Sequence, residues 1–194
     1  MGRKFRPAVI GAVAIVITAA MGVRADGATL DFSVFASGNT GLSVLDVGAA
    51  TVTISGGTVF VYRPGDFGAF TTSGGLCALS GGSCQTDWRL DFDFGVTNLM
   101  FESAFFNPVD FVSVEYFDGA TSLGSIPVAA NGTFDLSSVP RITSLVFNDS
   151  STGAGFGFGD FSFDRAGSAI PEPATLLLLG MGLAAIAYRR RRTQ

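Results

Sequence analysis

The chain has 194 residues with 16 acidic and 12 basic side chains, no histidine, two cysteines and 19 phenylalanines. Lacking histidine, it holds no Ser-His-Asp or Cys-His catalytic arrangement and no imidazole-ligated metal. Its charge is segregated: four basic residues lie in positions 1–25 and four in 189–192, whereas every acid lies from Asp26 to Glu172, so residues 26–173 hold four arginines against sixteen acids, a formal charge of −12. Such a surface repels phosphate backbones and anionic lipid, which excludes nucleic acid as a partner and leaves a divalent cation or a neutral glycan.

From the N-terminus, Arg3, Lys4 and Arg6 precede the apolar run Ala8 to Met21, and Val23-Arg24-Ala25 forms a small-x-small site before Asp26. This is the anatomy of a secretory signal peptide over residues 1–25, with cleavage between Ala25 and Asp26. The run is short for a bilayer span, which disfavours an uncleaved anchor.

The segment 26–165 reads as strand after strand. Candidate runs are Leu30 to Phe35, Leu42 to Val47, Thr51 to Ile54, Thr58 to Tyr62, Trp88 to Phe94, Thr97 to Phe101, Phe111 to Phe117, Thr133 to Leu136, Ile142 to Phe147 and Phe156 to Phe163. The clearest has Trp88, Leu90, Phe92 and Phe94 alternating with Arg89, Asp91 and Asp93, one buried face against one wet face. Gly, Asn, Asp and Pro punctuate the runs, and no 12-residue stretch repeats every 3.6 residues. Ten short strands point to an all-β domain, an antiparallel β-sandwich of jelly-roll type. Asp118-Gly119 and Asn131-Gly132 are hairpin-turn dipeptides.

Cys77 and Cys84 lie in a glycine-rich stretch, and in an exported chain they are expected to form a disulfide worth about 2–3 kcal/mol. Two thiols without histidine are a poor zinc set. In the last strand Phe156 and Phe158 share one parity and Phe161 and Phe163 the other, so burying all four rings requires a β-bulge at Gly159-Asp160 that re-aims Asp160. Gly159-Asp160-Phe161-Ser162-Phe163 is similar to an element that helps hold structural calcium at the end of many extracellular jelly rolls. Asp160 is thus the calcium candidate, with Asp31 or carbonyls as partners, although calcium wants six to eight oxygens and a solvated turn aspartate is the simpler reading. No other cofactor is expected.

For hydrolysis the nearest carboxylate pair is Asp91 and Asp93, which share a strand face with Arg89 and read as a solvated sheet surface; Glu102 and Glu115 are isolated. Gly153 to Gly159 has no lysine and is no phosphate loop, its glycines suiting close strand packing. Most of the phenylalanines read as core. Phe105-Phe106-Asn107-Pro108, and Phe67 with Phe70, are either exposed tips or loops tucked over the domain end. The glycosylation sequons at Asn131 and Asn148 match a pattern common by chance and carry little weight.

After a linker over residues 166–170 comes Ile170-Pro171-Glu172-Pro173, then Thr175, the apolar run Ala174 to Tyr188 containing Gly180, and Arg189, Arg190, Arg191 and Arg192. The prolines keep the motif extended, and helix begins only beyond it. As a helix, 174–188 is about 22 Å long, short for a hydrocarbon core of roughly 30 Å, so it thins the bilayer or snorkels its arginines. The arginine cluster favours a cytoplasmic C-terminus, placing everything before Pro171 outside the membrane. These residues resemble the PEP-CTERM protein-sorting domain: a hydrophobic residue, Pro-Glu-Pro, Ser or Thr two positions on, a short membrane helix and an Arg cluster. The resemblance implies processing by exosortase, a membrane-embedded, cysteine transpeptidase-like enzyme of Gram-negative bacteria that commonly make exopolysaccharide. An ordinary tail anchor is the alternative.

The sequence therefore describes a signal peptide (1–25), a β-sandwich domain (26–165), a linker (166–170) and a sorting segment (171–194). The expected protein is non-enzymatic, crosses the inner membrane, is briefly anchored there, and ends at the cell surface or in an exopolysaccharide or biofilm matrix. Its expected partners are exosortase, the membrane and exopolysaccharide. A calcium-dependent carbohydrate-binding module is the alternative, and a carbohydrate-active hydrolase the remoter one.

Overall fold

A computed structural model describes residues 27–152 and 155–167. The described residues are all-β: thirteen strands in one antiparallel hydrogen-bonded sheet, one 3₁₀ turn at Asp66–Gly68 and no α-helix. In chain order the strands are β1 (Gly27–Thr29), β2 (Gly38–Asn39), β3 (Val44–Asp46), β4 (Ala50–Ile54), β5 (Thr58–Tyr62), β6 (Gly75–Ser80), β7 (Ser83–Cys84), β8 (Trp88–Ala104), β9 (Val112–Asp118), β10 (Thr121–Val128), β11 (Gly132–Asp135), β12 (Ile142–Asp149) and β13 (Gly157–Arg165).

β8 organises the molecule. Its first half pairs with β4 and β12, as in Val52 with Leu90 and Leu145 with Leu90, while its second half pairs with β11 and β13, as in Phe134 with Phe101 and Phe158 with Ser103. Seventeen residues in a straight strand would span roughly 55 Å. Yet the Trp88 ring at one end lies 6.0 Å from the ring of Phe158, the partner of Ser103 at the other. The sheet therefore curls back and encloses its own apolar face. The device is visible in the side-chain parity: Trp88, Leu90, Phe92 and Val96 are buried, then Leu99, Phe101 and Ser103, with the switch at Asn98, whose φ is +51°. The register with β13 shifts at the same place.

Inside lies a ring stack. Trp88 stacks on Phe147 at 3.7 Å between centroids, and Phe101, Phe147, Phe158 and Phe161 are fully excluded from water around it. Burying such side chains contributes about 1.5–3 kcal/mol each.

Several expected strands fall elsewhere. Leu30 to Phe35 is not a strand: the Asp31 carboxylate takes the Ser33 N–H and Phe35 N–H donates to Phe32 C=O, so a turn forms just after β1 while Leu30 and Phe32 still reach the core. The runs from Trp88 and from Thr97 are one strand, since a bulge and not a turn separates them. β1, β2, β6, β7 and β10 lie outside the candidate runs. Asp118-Gly119 does open a hairpin, with Gly119 at φ +59° and Asp118 facing Thr121. Asn131-Gly132 does not: β10 pairs with β9 and β11 with β8, so Asn131 lies in a connection.

Both ends of the described domain lie at one pole, because Gly27 pairs with Asp164 while Arg165 pairs with Val96. Ala104 and Gly157 mark the opposite end of the same ladder, about 26 Å away at 3.3 Å per residue.

Candidate functional site

At that distal end a cleft of about 380 Å³ opens between three segments, lined among others by Phe67, Phe70, Thr71, Glu102, Phe105 and Asn131. The loop carrying Phe67 is tied at its base by Asp66, whose carboxylate accepts hydrogen bonds from the Ser37 hydroxyl (2.6 Å) and the Arg63 N–H (2.8 Å). Those bonds, the Ser37 hydroxyl first, hold the Asp66 carboxyl below its usual range. The 3₁₀ turn then presents Phe67, which is 77% exposed. Phe105 follows directly on β8, and Asn131 is set by its Oδ1 accepting the Phe106 N–H at 2.8 Å.

Phe67, Phe70 and Phe105 all have positive φ, at +54°, +49° and +66°. Left-handed backbone is costly for a side-chain-bearing residue, roughly 1–2 kcal/mol each, and here three such residues converge on one cleft. The rings support one another edge to face: Phe67 meets Phe105 at 6.3 Å and 83°, and Phe70 meets Phe105 at 6.1 Å and 87°. Beneath them the sheet is stripped to glycine. A methyl group at Gly75 or Gly159 would lie 2.7 Å from the Phe70 ring, and one at Gly157 would lie 2.9 Å from Tyr62. Gly75, Gly157 and Gly159 thus leave room for the Phe70 and Tyr62 rings to lie close against the sheet.

Cys77 and Cys84 form the expected disulfide, closing the β6–β7 hairpin around Gly81-Gly82, both at positive φ. It packs with Tyr62 and Phe70 below the cleft, the Tyr62 hydroxyl sitting 3.7 and 3.6 Å from the two sulfurs. Burial pushes that phenol up to about 12.

Asp160 sits on the expected bulge, with φ +46° and all four flanking rings buried. It is not a solvated turn residue. Its carboxylate accepts the Ser73 N–H at 2.6 Å, the Thr72 N–H at 3.1 Å and the Ser73 hydroxyl at 3.3 Å, and its own N–H donates to Gly74 C=O. The bulge therefore locks β13 to the turn entering β6. Asp31, named as its calcium partner, is engaged in its own turn with Ser33, and the described residues contain no group of three or more Asp, Glu, Cys or His able to hold a metal.

Asp91 pairs with Arg89 at 2.7 Å on the outer sheet face, where Arg89 also donates to the Ser144 hydroxyl; Asp93 is exposed beside them. Glu115 accepts from Ser122. The four arginines of the domain are each engaged within it: Arg63 with Phe35 C=O, Arg89 with Asp91, Arg141 with Asp118, and Arg165 over the Phe94 ring. Glu102, one wall of the cleft, takes part in neither ion pair.

Comparison with protein families adds what the domain itself does not contain. A model described as the PEP-CTERM protein-sorting motif matches residues 169–192. The chain carries a PEP-CTERM sorting signal. That signal supports an exported protein, membrane-anchored for sorting and processed by exosortase. No curated protein matches the chain. Pro171, Glu172, Pro173, Thr175, the helix expected over 174–188 and Arg189 to Arg192 lie outside the described residues, as do the signal peptide and the Ala25-Asp26 cleavage site. Among the described residues, no helix is long and apolar enough to cross a membrane.

Sequence reasoning missed Asn131 and Thr71 as cleft residues and left Glu102 isolated. A local signal existed only for the rings, since Phe67 and Phe105 each stand in a turn-like segment.

Proposed function

We propose that this chain is a non-enzymatic surface or extracellular-matrix protein, cut by exosortase at or near Pro171-Glu172-Pro173 and left within an exopolysaccharide or biofilm layer. The observation that carries this reading is the sorting motif over residues 169–192 behind a strongly acidic, disulfide-clipped β-domain. The curled sheet is read as a jelly-roll-like sandwich. With both ends of the domain at one pole, a C-terminal anchor leaves the distal cleft facing away from the membrane. Deleting exosortase in a producing strain tests the sorting step: the protein should accumulate in the inner membrane, and undiminished release would contradict the reading.

The cleft favours carbohydrate binding as the molecular role. Calcium dependence is not part of it, because the Asp160 carboxylate already accepts backbone and hydroxyl hydrogen bonds from Thr72 and Ser73. EDTA should leave Tm unchanged, and a lowered Tm would restore the calcium reading. For a hydrolase, Asp91→Asn or Asp93→Asn would abolish glycan cleavage; no cleavage is expected from the unaltered protein.

A further inference from the structure

We propose that the cleft walled by Phe67, Phe105, Glu102 and Asn131 is a binding site for a neutral pyranose glycan, with the exposed Phe67 ring as its stacking platform. The inference deepens the matrix reading by giving it a site.

Phe67 combines two costs. It exposes a large apolar ring at 77%, and it does so from a left-handed backbone at φ +54°. Its edge contacts with Phe105 and Tyr62 use only part of the ring, and glycines on either side, Gly65 and Gly68, already make the turn at φ +80° and +78°. Strain kept at an exposed aromatic points to use of the ring by something outside the fold. The Phe105 ring, likewise strained, stands nearly perpendicular to it, so the two form a corner instead of a flat patch. A volume of about 380 Å³ falls in the range of small-ligand sites.

The polar groups choose among ligands. Glu102 and the −12 charge of residues 26–173 disfavour anions, which removes phosphates, sulfated sugars and uronic acids. Asn131 has its Oδ1 occupied by the Phe106 N–H, so its Nδ2 remains as a donor. Glu102 offers acceptors, and Thr71 a hydroxyl of both kinds. An organic cation would use the rings and the carboxylate but waste the amide donor. A pyranose uses all of them, placing C–H bonds on the phenyl face while its hydroxyls both donate to Glu102 and accept from Asn131.

The test is isothermal titration of the full chain, held in a sugar-free polyoxyethylene detergent, with dextran, galactomannan, alginate and choline chloride as probes. At least one of the two neutral polysaccharides should bind, while alginate and choline should not. Phe67→Gly should weaken that binding at least tenfold with Tm little changed, since relief of the left-handed backbone offsets the lost edge contacts with Tyr62 and Phe105; a ring serving only the fold would lower Tm and leave binding intact. Glu102→Gln should weaken binding with Tm unchanged. Failure of both neutral polysaccharides to bind, preferential binding of choline or alginate, or full affinity in both variants would overturn the proposal. Purified protein makes the result independent of sorting, so a negative outcome here leaves the exosortase reading standing, and the deletion strain tests that one alone.

Discussion

Two groups of aromatic rings in this protein use the same residue type in opposite ways. Around Trp88, the rings of Phe101, Phe147, Phe158 and Phe161 are wholly buried at ordinary backbone geometry, and removing them from water drives folding. Under the cleft, Phe67, Phe70 and Phe105 sit on left-handed backbone, and one of them projects into solvent. Their left-handed backbone opposes folding and is held in place by the disulfide, the Asp66 and Asp160 hydrogen bonds and a glycine floor. Residue type does not separate core from site here, and neither does burial alone, since Phe70 is buried; backbone conformation does.

The contrast is broken most severely from the core side. Phe158→Ala empties a position touching Trp88, Phe101, Phe106, Phe147 and Phe156, and should cost about 3–5 kcal/mol in urea unfolding. A loss under about 1 kcal/mol would mean that the stack is not the core. On the cleft side, replacing both Cys77 and Cys84 by serine opens a short loop and should cost about 2.5 kcal/mol on the chain-entropy scale. If stability is unaffected, the hairpin is held by its ladder alone.

A smaller effect separates two aspartates. Asp160→Asn weakens a carboxylate that accepts two backbone N–H groups and should cost about 1–3 kcal/mol. Asp91→Asn only breaks the Arg89 pair, whose side chains are 43% and 44% exposed, and should cost less than about 1 kcal/mol. Equal losses in the two variants would remove the distinction between lock and surface pair.

The mildest perturbation is acid. Asp31, Asp66 and Asp135 are held below the ordinary 3.8 first by the hydroxyls of Ser33, Ser37 and Ser137 and then by backbone N–H groups. A carboxyl depressed in the folded state contributes stability that is present above 3.8 and lost as pH falls below it. Tm should therefore be insensitive to these groups at neutral pH and fall on acidification below 3.8. A Tm that rises there would contradict the assignment.

How much of this was legible depends on whether the signal was local. The bulge at Asp160 could be read because Phe156, Phe158, Phe161 and Phe163 must all face inward, and the structure buries all four. The disulfide and the Asp118-Gly119 turn were legible for similar short-range reasons. β6 escaped because it is buried on both faces from Gly75 to Ala78 and so lacks alternation, and β10 because it is a largely exposed strand rich in Ser, Gly and Pro. The single strand β8 read as two because Asn98 reverses its parity. The cleft was legible only as turn-like segments around Phe67 and Phe105: Phe67, Glu102 and Asn131 come from segments far apart in sequence, and the pairing of β8 with β13 and β11 and of β13 with β6 brings them together.

The central claim is export followed by removal of the sorting segment, and the intact mass of the protein recovered from producing cells tests it most directly. The expected species is lighter than the 20.0 kDa chain, starts at Asp26, ends near Pro171–Pro173 and carries an oxidised Cys77–Cys84 pair. A full-length 20.0 kDa polypeptide in the cytosolic fraction with both thiols reduced would contradict it.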